Sequence, residues 1–321
     1  MKHKLKITIV LLTMFIVTQF IGLAVLHADP FHLEQEVNGT IQKVSNPALS
    51  WIQPPEVKTQ KESFSMLTSL IFAFIIAISL LFLLTKFKIE FFLKAWFFLV
   101  VCIALFLTFY SFEKIIPFTI NYNWALAIPI ILALPLAFIK IFKQNFLVHN
   151  FTELLIYPGI AAVFVPILNI YTIIILLILI SIYDMWAVWH SGIMQKMAKY
   201  QINKLKIFGG FFVPYADKKT KQKIKLLREK YKNKKISERN LKAKKISVNV
   251  AILGGGDVIF PIIAAGVMLK TLGLMSALFV VAGATLGLAS LFMFSEKKKF
   301  YPAMPFITAG IFLGMVLSYF L

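Results

Sequence analysis

The chain has 321 residues, of which 59% are hydrophobic and only 15% charged, with a mean hydropathy of +0.81. Soluble domains carry about 25% charged residues, so water is excluded as the solvent for most of this surface. The net charge of +20 would suggest nucleic acid in a soluble protein, but in a membrane chain it is first an orientation signal. The single cysteine, Cys102, excludes an intrachain disulfide and a cysteine-based metal site.

Nine apolar runs of roughly 20 residues follow one another, each long enough to cross a bilayer as a helix: 7–26, 64–84, 91–112, 124–142, 148–168, 171–189, 248–269, 272–294 and 302–321. The first opens with Lys2, Lys4 and Lys6 and ends near Ala28, as a signal peptide does, but its apolar core is longer than a signal peptide's and reads as an uncleaved span. Between the first and second runs, residues 27–63 carry Asp29, Glu34, Glu36, Glu56 and Glu62 with Pro47, Pro54 and Pro55. They read as an irregular segment with a short helix. Pro166 and Asn169 divide the fifth run from the sixth. Between the sixth and seventh, residues 190–247 hold 18 of the 34 basic residues and read as a solvated basic loop, or as a surface that lies on anionic lipid. The chain therefore divides into an amino-terminal bundle of six spans (1–189), the basic loop (190–247) and a carboxyl-terminal bundle of three spans (248–321). The predicted fold is all-α, a polytopic membrane protein with nine transmembrane helices.

Charge sets the orientation. With the amino terminus inside, Lys86, Lys88, Lys94, Lys140, Lys143, Lys297, Lys298, Lys299 and the basic loop all lie on the inner side, while only Lys43, Lys58, Lys61, Lys114 and Lys270 lie outside. The short loops agree with the rule without the long one. The expectation is a multi-pass protein of the cell membrane, with a cytoplasmic amino terminus and 190–247 loop and an extracytoplasmic carboxyl terminus.

Of the 14 acidic residues, eleven fall in loops or at span ends. Glu153, near the inner start of the fifth run, reads as structural, reaching toward the interface. Asp184 and Asp257 remain, well inside spans, where an ionisable group costs at least ~2.5–3.5 kcal/mol and is a functional hypothesis by default. A rise of 1.5 Å per residue places Asp184 roughly 10 Å from the inner face and Asp257 roughly 14 Å from it, on antiparallel helices. Two close carboxylates share a proton, so that one acts as a base on water while the other donates to a carbonyl. Asp257 also follows Gly254, Gly255 and Gly256, which permit close backbone approach at a cost to the helix. Gly283-x-x-x-Gly287 and Gly310-x-x-x-Gly314 read as helix-packing faces.

Three motifs together carry a resemblance. Tyr183-Asp184 in the sixth run resembles the Tyr-Asp motif of the presenilin and signal peptide peptidase family of intramembrane aspartyl proteases. Gly254-Gly255-Gly256-Asp257 in the seventh matches that family's Gly-x-Gly-Asp motif, and Pro302-Ala303-Met304 at the start of the ninth resembles its Pro-Ala-Leu motif, with Met for Leu. The inside amino terminus resembles presenilin orientation, and the short chain resembles microbial, archaeal-type members. The resemblance implies a presenilin-like fold and an aspartic endopeptidase that cleaves transmembrane segments or signal peptides. Asp184 and Asp257 would be the catalytic pair. Tyr183, Gly254, Gly255, Gly256, Pro302, Ala303 and Met304 would shape the site and hold substrate. No cofactor or metal is called for, and a His-Glu-x-x-His zinc motif is missing from the sequence. The partners implied are transmembrane peptides and the lipid bilayer, with the basic loop a candidate contact for anionic lipid and no nucleic acid; the sequence does not require an obligate protein partner. The competing readings are a proton- or ion-coupled transporter or channel using the same aspartates, and an inactive scaffold that binds membrane helices.

Overall fold

The computed structural model describes residues 5–37, 40–55, 57, 59–86, 90–116, 122–143, 145–191, 209–215, 249–295 and 301–320. Among these there are nine α-helices, one for each apolar run: α1 (Leu5–Ala28), α2 (Gln60–Lys86), α3 (Glu90–Ile115), α4 (Tyr122–Phe138), α5 (Phe146–Phe164), α6 (Ile170–Trp186), α7 (Gly255–Leu272), α8 (Leu274–Phe294) and α9 (Met304–Tyr319). Single π-helical turns extend α4 through Ile139–Lys143 and α6 through Ala187–Ser191. Seven of the helical stretches are long and apolar enough to cross a membrane, and α9 is apolar but shorter, at 16 residues. Most of the expected 190–247 loop lies outside the described residues.

The boundary between α5 and α6 falls where expected. Pro166 sits in a 3₁₀ turn, Val165–Ile167, and Asn169 caps α6. The Asn169 side chain accepts from the Thr172 amide at 2.9 Å, while the Thr172 hydroxyl accepts from the Asn169 amide at 2.8 Å. This reciprocal pair satisfies donors that a helix start would leave orphaned in lipid.

Two corrections concern backbone that is not helical. The described part of the seventh run, from Asn249, does not begin as a helix. Asn249–Gly254 is a strand, β4, paired antiparallel with β3 (Gly210–Tyr215) from within the basic loop. Asp257 therefore lies in the first turn of α7, and counting helical rise from Val248 does not give its depth. The segment between α1 and α2 is also more ordered than expected. A hairpin of β1 (His32–Val37) and β2 (Thr40–Ser45) precedes a 3₁₀ turn at Pro47–Leu49. The Lys114 ammonium at the end of α3 fastens it, donating to the carbonyls of Ala28, Asp29 and His32 at 2.7–2.8 Å.

Two apolar cores meet along α1 and α5. One, with Phe15, Leu177, Ile262 and Ile307, joins α1, α5, α6, α7, α8 and α9; the other, with Val25, Leu105, Ala137 and Leu155, joins α1 and α5 to α3 and α4. Lipid removes the hydrophobic drive for helix association, so small residues that allow intimate packing carry more of it. α8 and α9 show this directly. A Cβ on Gly283 would stand 2.1 Å from the Gly310 carbonyl oxygen, and a Cβ on Gly310 would stand 2.1 Å from that of Gly283. The expected glycine faces are thus opposite sides of one contact.

Candidate active site

Asp184 occupies the last turn of α6, immediately before the π-helical turn, and is 7% exposed. Its Oδ2 accepts from the Met304 amide at 3.0 Å, with the Ala303 amide directed at the same carboxylate. Ala303 is the N-cap of α9 and Met304 its first residue. The Pro-Ala-Met segment therefore presents unpaired helix amides and the positive end of a helix dipole to an intramembrane carboxylate. A second bridge, Ser181 Oγ to Thr308 Oγ1 at 2.8 Å, ties α6 to α9 one turn away. Pro302 and Met304 are buried and Ala303 half-buried.

Asp257 comes from the start of α7, and its carboxylate folds back over the Gly254 amide. It lies within electrostatic reach of Asp184. The α6 carboxylate, held by α9, and the α7 carboxylate, held by its own helix start, thus converge from elements distant in sequence. Pro261 has no amide hydrogen, so the Asp257 carbonyl lacks its usual helical donor four residues on.

The three glycines before Asp257 differ in what they allow. A Cβ on Gly254 would lie 3.1 Å from Asp257 Oδ2, so a side chain there would crowd the carboxylate. The space for a Cβ on Gly255 is taken by the Tyr157 hydroxyl of α5, 2.8 Å away. Gly256 is exposed, and a Cβ there meets nothing nearer than Phe260 at 3.7 Å. Tyr183 is also exposed, at 47%, with its ring 6.4 Å from that of Trp186.

Sequence reasoning missed two supports. Gln19 of α1 is fully buried and donates its amide to the Val258 carbonyl at 3.1 Å, next to Asp257 in the chain. A glutamine amid apolar residues of a span is a signal of the same kind as a buried charge, though weaker. The other support is the β3–β4 hairpin, which enters α7 through the Gly255 amide donating to the Gly209 carbonyl at 3.2 Å. That bond fixes the alternation: Phe211, Val213 and Tyr215 turn their backbone groups to β4, and those of Gly210 and Phe212 face α5. Asn150 of α5 answers both groups of Phe212, donating to its carbonyl at 2.8 Å and accepting from its amide at 3.0 Å. On β4, the backbone groups of Val250 and Ile252 face away from β3, and no described residue pairs with them.

The described helices thus bring two carboxylates toward one another inside an apolar bundle. The chain matches the family described as signal-peptide peptidase, presenilin aspartyl protease over residues 47–321. It belongs to that family and is by class an intramembrane aspartic endopeptidase. The chain finds no match among curated proteins. Its fold is similar to two crystal structures of a presenilin family intramembrane aspartate protease. The P2 form has a TM-score of 0.59 and 17% identity, covering 96% of each chain. The C222 form has a TM-score of 0.57 and 15% identity, covering 97% of this chain and 98% of the other.

Proposed function

We propose that the protein hydrolyses peptide bonds in transmembrane segments or signal peptides, with Asp184 and Asp257 as the catalytic pair. The observation that carries this reading is the convergence of Asp184, held by the Met304 amide, on Asp257. The pair shares one proton, because two adjacent carboxylates do not both ionise readily. The ionised member takes a proton from water as its oxygen bonds to the scissile carbonyl carbon, and the protonated member donates to the carbonyl oxygen. Proton transfer to the amide nitrogen then accompanies C–N cleavage, and the pair returns to its shared-proton state.

A helical substrate hides its amides and must unwind before water can attack. The unpaired edge of β4, at Val250 and Ile252, is a template to which an unwound segment can add as a strand. This edge leads straight into Gly254–Asp257, so a strand seated there would run past the carboxylates. Exposed Gly256 would let its backbone come close, with Tyr183, Pro302, Ala303 and Met304 bounding the cleft. The positive-inside pattern supports a cytoplasmic amino terminus and basic loop in the cell membrane, with that loop near anionic lipid.

The test is cleavage of a labelled single-span peptide by purified protein in lipid. Asp184→Asn and Asp257→Asn should each abolish cleavage while leaving thermal unfolding in place. Wild-type cleavage by either variant would remove that aspartate from the mechanism. Ion flux that depends on the pair, without cleavage, would transfer the site to a transporter.

A further inference from the structure

Glu153 was expected at the interface and is instead 1% exposed in the interior. It pairs with Lys140, in the π-helical turn after α4, and the two side chains are 2% and 5% exposed. His149, one turn before Glu153 on α5, brings Nε2 to 3.6 Å from the same carboxylate oxygen. That nitrogen also lies 2.8 Å from the Gly210 carbonyl oxygen. A carbonyl only accepts, so Nε2 carries the hydrogen. The imidazole centroid lies 4.8 Å from that of the tilted Phe212 ring, and Asn150 beside it holds the Phe212 backbone. From Gly210 the path to Asp257 is short: the adjacent Gly209 carbonyl receives the Gly255 amide, two residues before Asp257.

A buried ion pair is weak evidence for stability, because desolvation offsets most of the attraction, and apolar side chains of similar volume often do as well. The chemistry proposed at Asp184 and Asp257 does not use these groups either. Their contacts converge on one feature, the outer edge of β3. Resting on the protease reading above, we propose that Lys140, Glu153 and His149 are positioning residues for Asp257. Lys140 holds the Glu153 carboxylate, that carboxylate faces the His149 Nε2–H at 3.6 Å and favours its orientation electrostatically, and the same N–H donates to Gly210. β3 thereby sets the angle at which β4 enters α7.

The test pairs variants so that stability and positioning separate. Lys140→Met/Glu153→Leu removes both charges together and leaves none uncompensated. It should unfold within about 3 °C of wild type while kcat falls about 10- to 100-fold and KM changes less than about twofold, as for a displaced reacting group. His149→Met should reproduce the loss, and His149→Gln, which keeps a donor near the Nε2 position, should restore most of it. Wild-type kcat in the folded double variant, or a rise in KM with kcat unchanged, overturns the proposal. Should the double variant not fold, equal kcat in His149→Met and His149→Gln overturns it. Cleavage by wild type, none by Asp257→Asn and full activity in the cluster variants would defeat this inference alone. Absence of cleavage by wild type would defeat the protease reading and this one with it.

Discussion

Gly287 of α8 lies far from either carboxylate in sequence, yet the packing predicts that it controls the site. A Cβ there would stand 2.4 Å from the Phe306 carbonyl oxygen and 3.0 Å from Ile307 Cα, both of them backbone of the first turns of α9. Ordinary contact begins at 3.4 Å, so in Gly287→Ala this backbone must retreat by about 1 Å, because no side-chain rotation relieves it. Met304 lies two residues before Phe306, and its amide holds Asp184 at 3.0 Å. A retreat of that size carries the bond beyond hydrogen-bonding distance. A hydrogen bond to a charged group contributes about 1.5–3 kcal/mol, which as lost transition-state stabilisation corresponds to roughly a 10- to 150-fold fall in kcat. Overpacking should also lower stability by about 1–3 kcal/mol. The assay is steady-state cleavage of a single-span peptide in lipid, with thermal unfolding on the same preparation. Leu313→Ala, on the exposed face of α9, is the control and should change neither. Wild-type kcat and an unchanged melting temperature in Gly287→Ala would refute the argument that α9 holds Asp184 through its packing on α8.

Gly254→Ala places a methyl group 3.1 Å from Asp257 Oδ2 and should cut kcat about tenfold with little change in unfolding temperature. Gly255→Ala meets the Tyr157 hydroxyl at 2.8 Å and should lower both stability and kcat. Tyr157→Phe in the same chain should recover part of the loss, a coupling that a double-mutant cycle would measure. Gln19→Leu withdraws the donor from the Val258 carbonyl and should lower kcat several-fold while the protein stays folded, since the exchange also removes a buried amide. Lys114→Met frees three carbonyls at and after the end of α1. It should speed proteolysis within residues 29–53 and lower the melting temperature by a few degrees, without changing kcat.

The helices were legible because lipid imposes a simple rule: long apolar runs must close their backbone hydrogen bonds internally. Each of the nine runs falls on one helix, and the cut at Pro166 and Asn169 was readable because both residues have local roles there. The β3–β4 hairpin escaped the same rule. Val250 to Leu253 is apolar and adjoins an apolar helix, so it reads as the start of a span. Its period is nevertheless two, with Ala251 and Leu253 buried and Val250 and Ile252 exposed. The partner, Phe211 to Tyr215, was legible only as an apolar island in a basic loop. The pairing is non-local, and neither strand specifies it alone. Glu153 was misplaced for a similar reason: a position near a span end suits an interfacial carboxylate, and only the fold brings Lys140 against it.

Both aspartates sit at helix ends, beside backbone that is not regular α-helix. An aspartate in mid-helix has the backbone around it fully engaged, so no amide remains to fix its carboxylate. Asp184 instead borrows free amides from the first turn of α9, and Asp257 uses the amide of Gly254 at the strand–helix junction. Free amides in lipid exist only at helix starts and strand edges. A bundle that must hold two carboxylates near one another therefore has to bring such ends into its interior. The sequence features that make this possible are small or imino residues: glycines at the start of α7, Pro302 before α9, and the Gly283–Gly310 contact that seats α9 on α8. The motifs around the aspartates thus act less through their side chains than through the backbone groups they leave free.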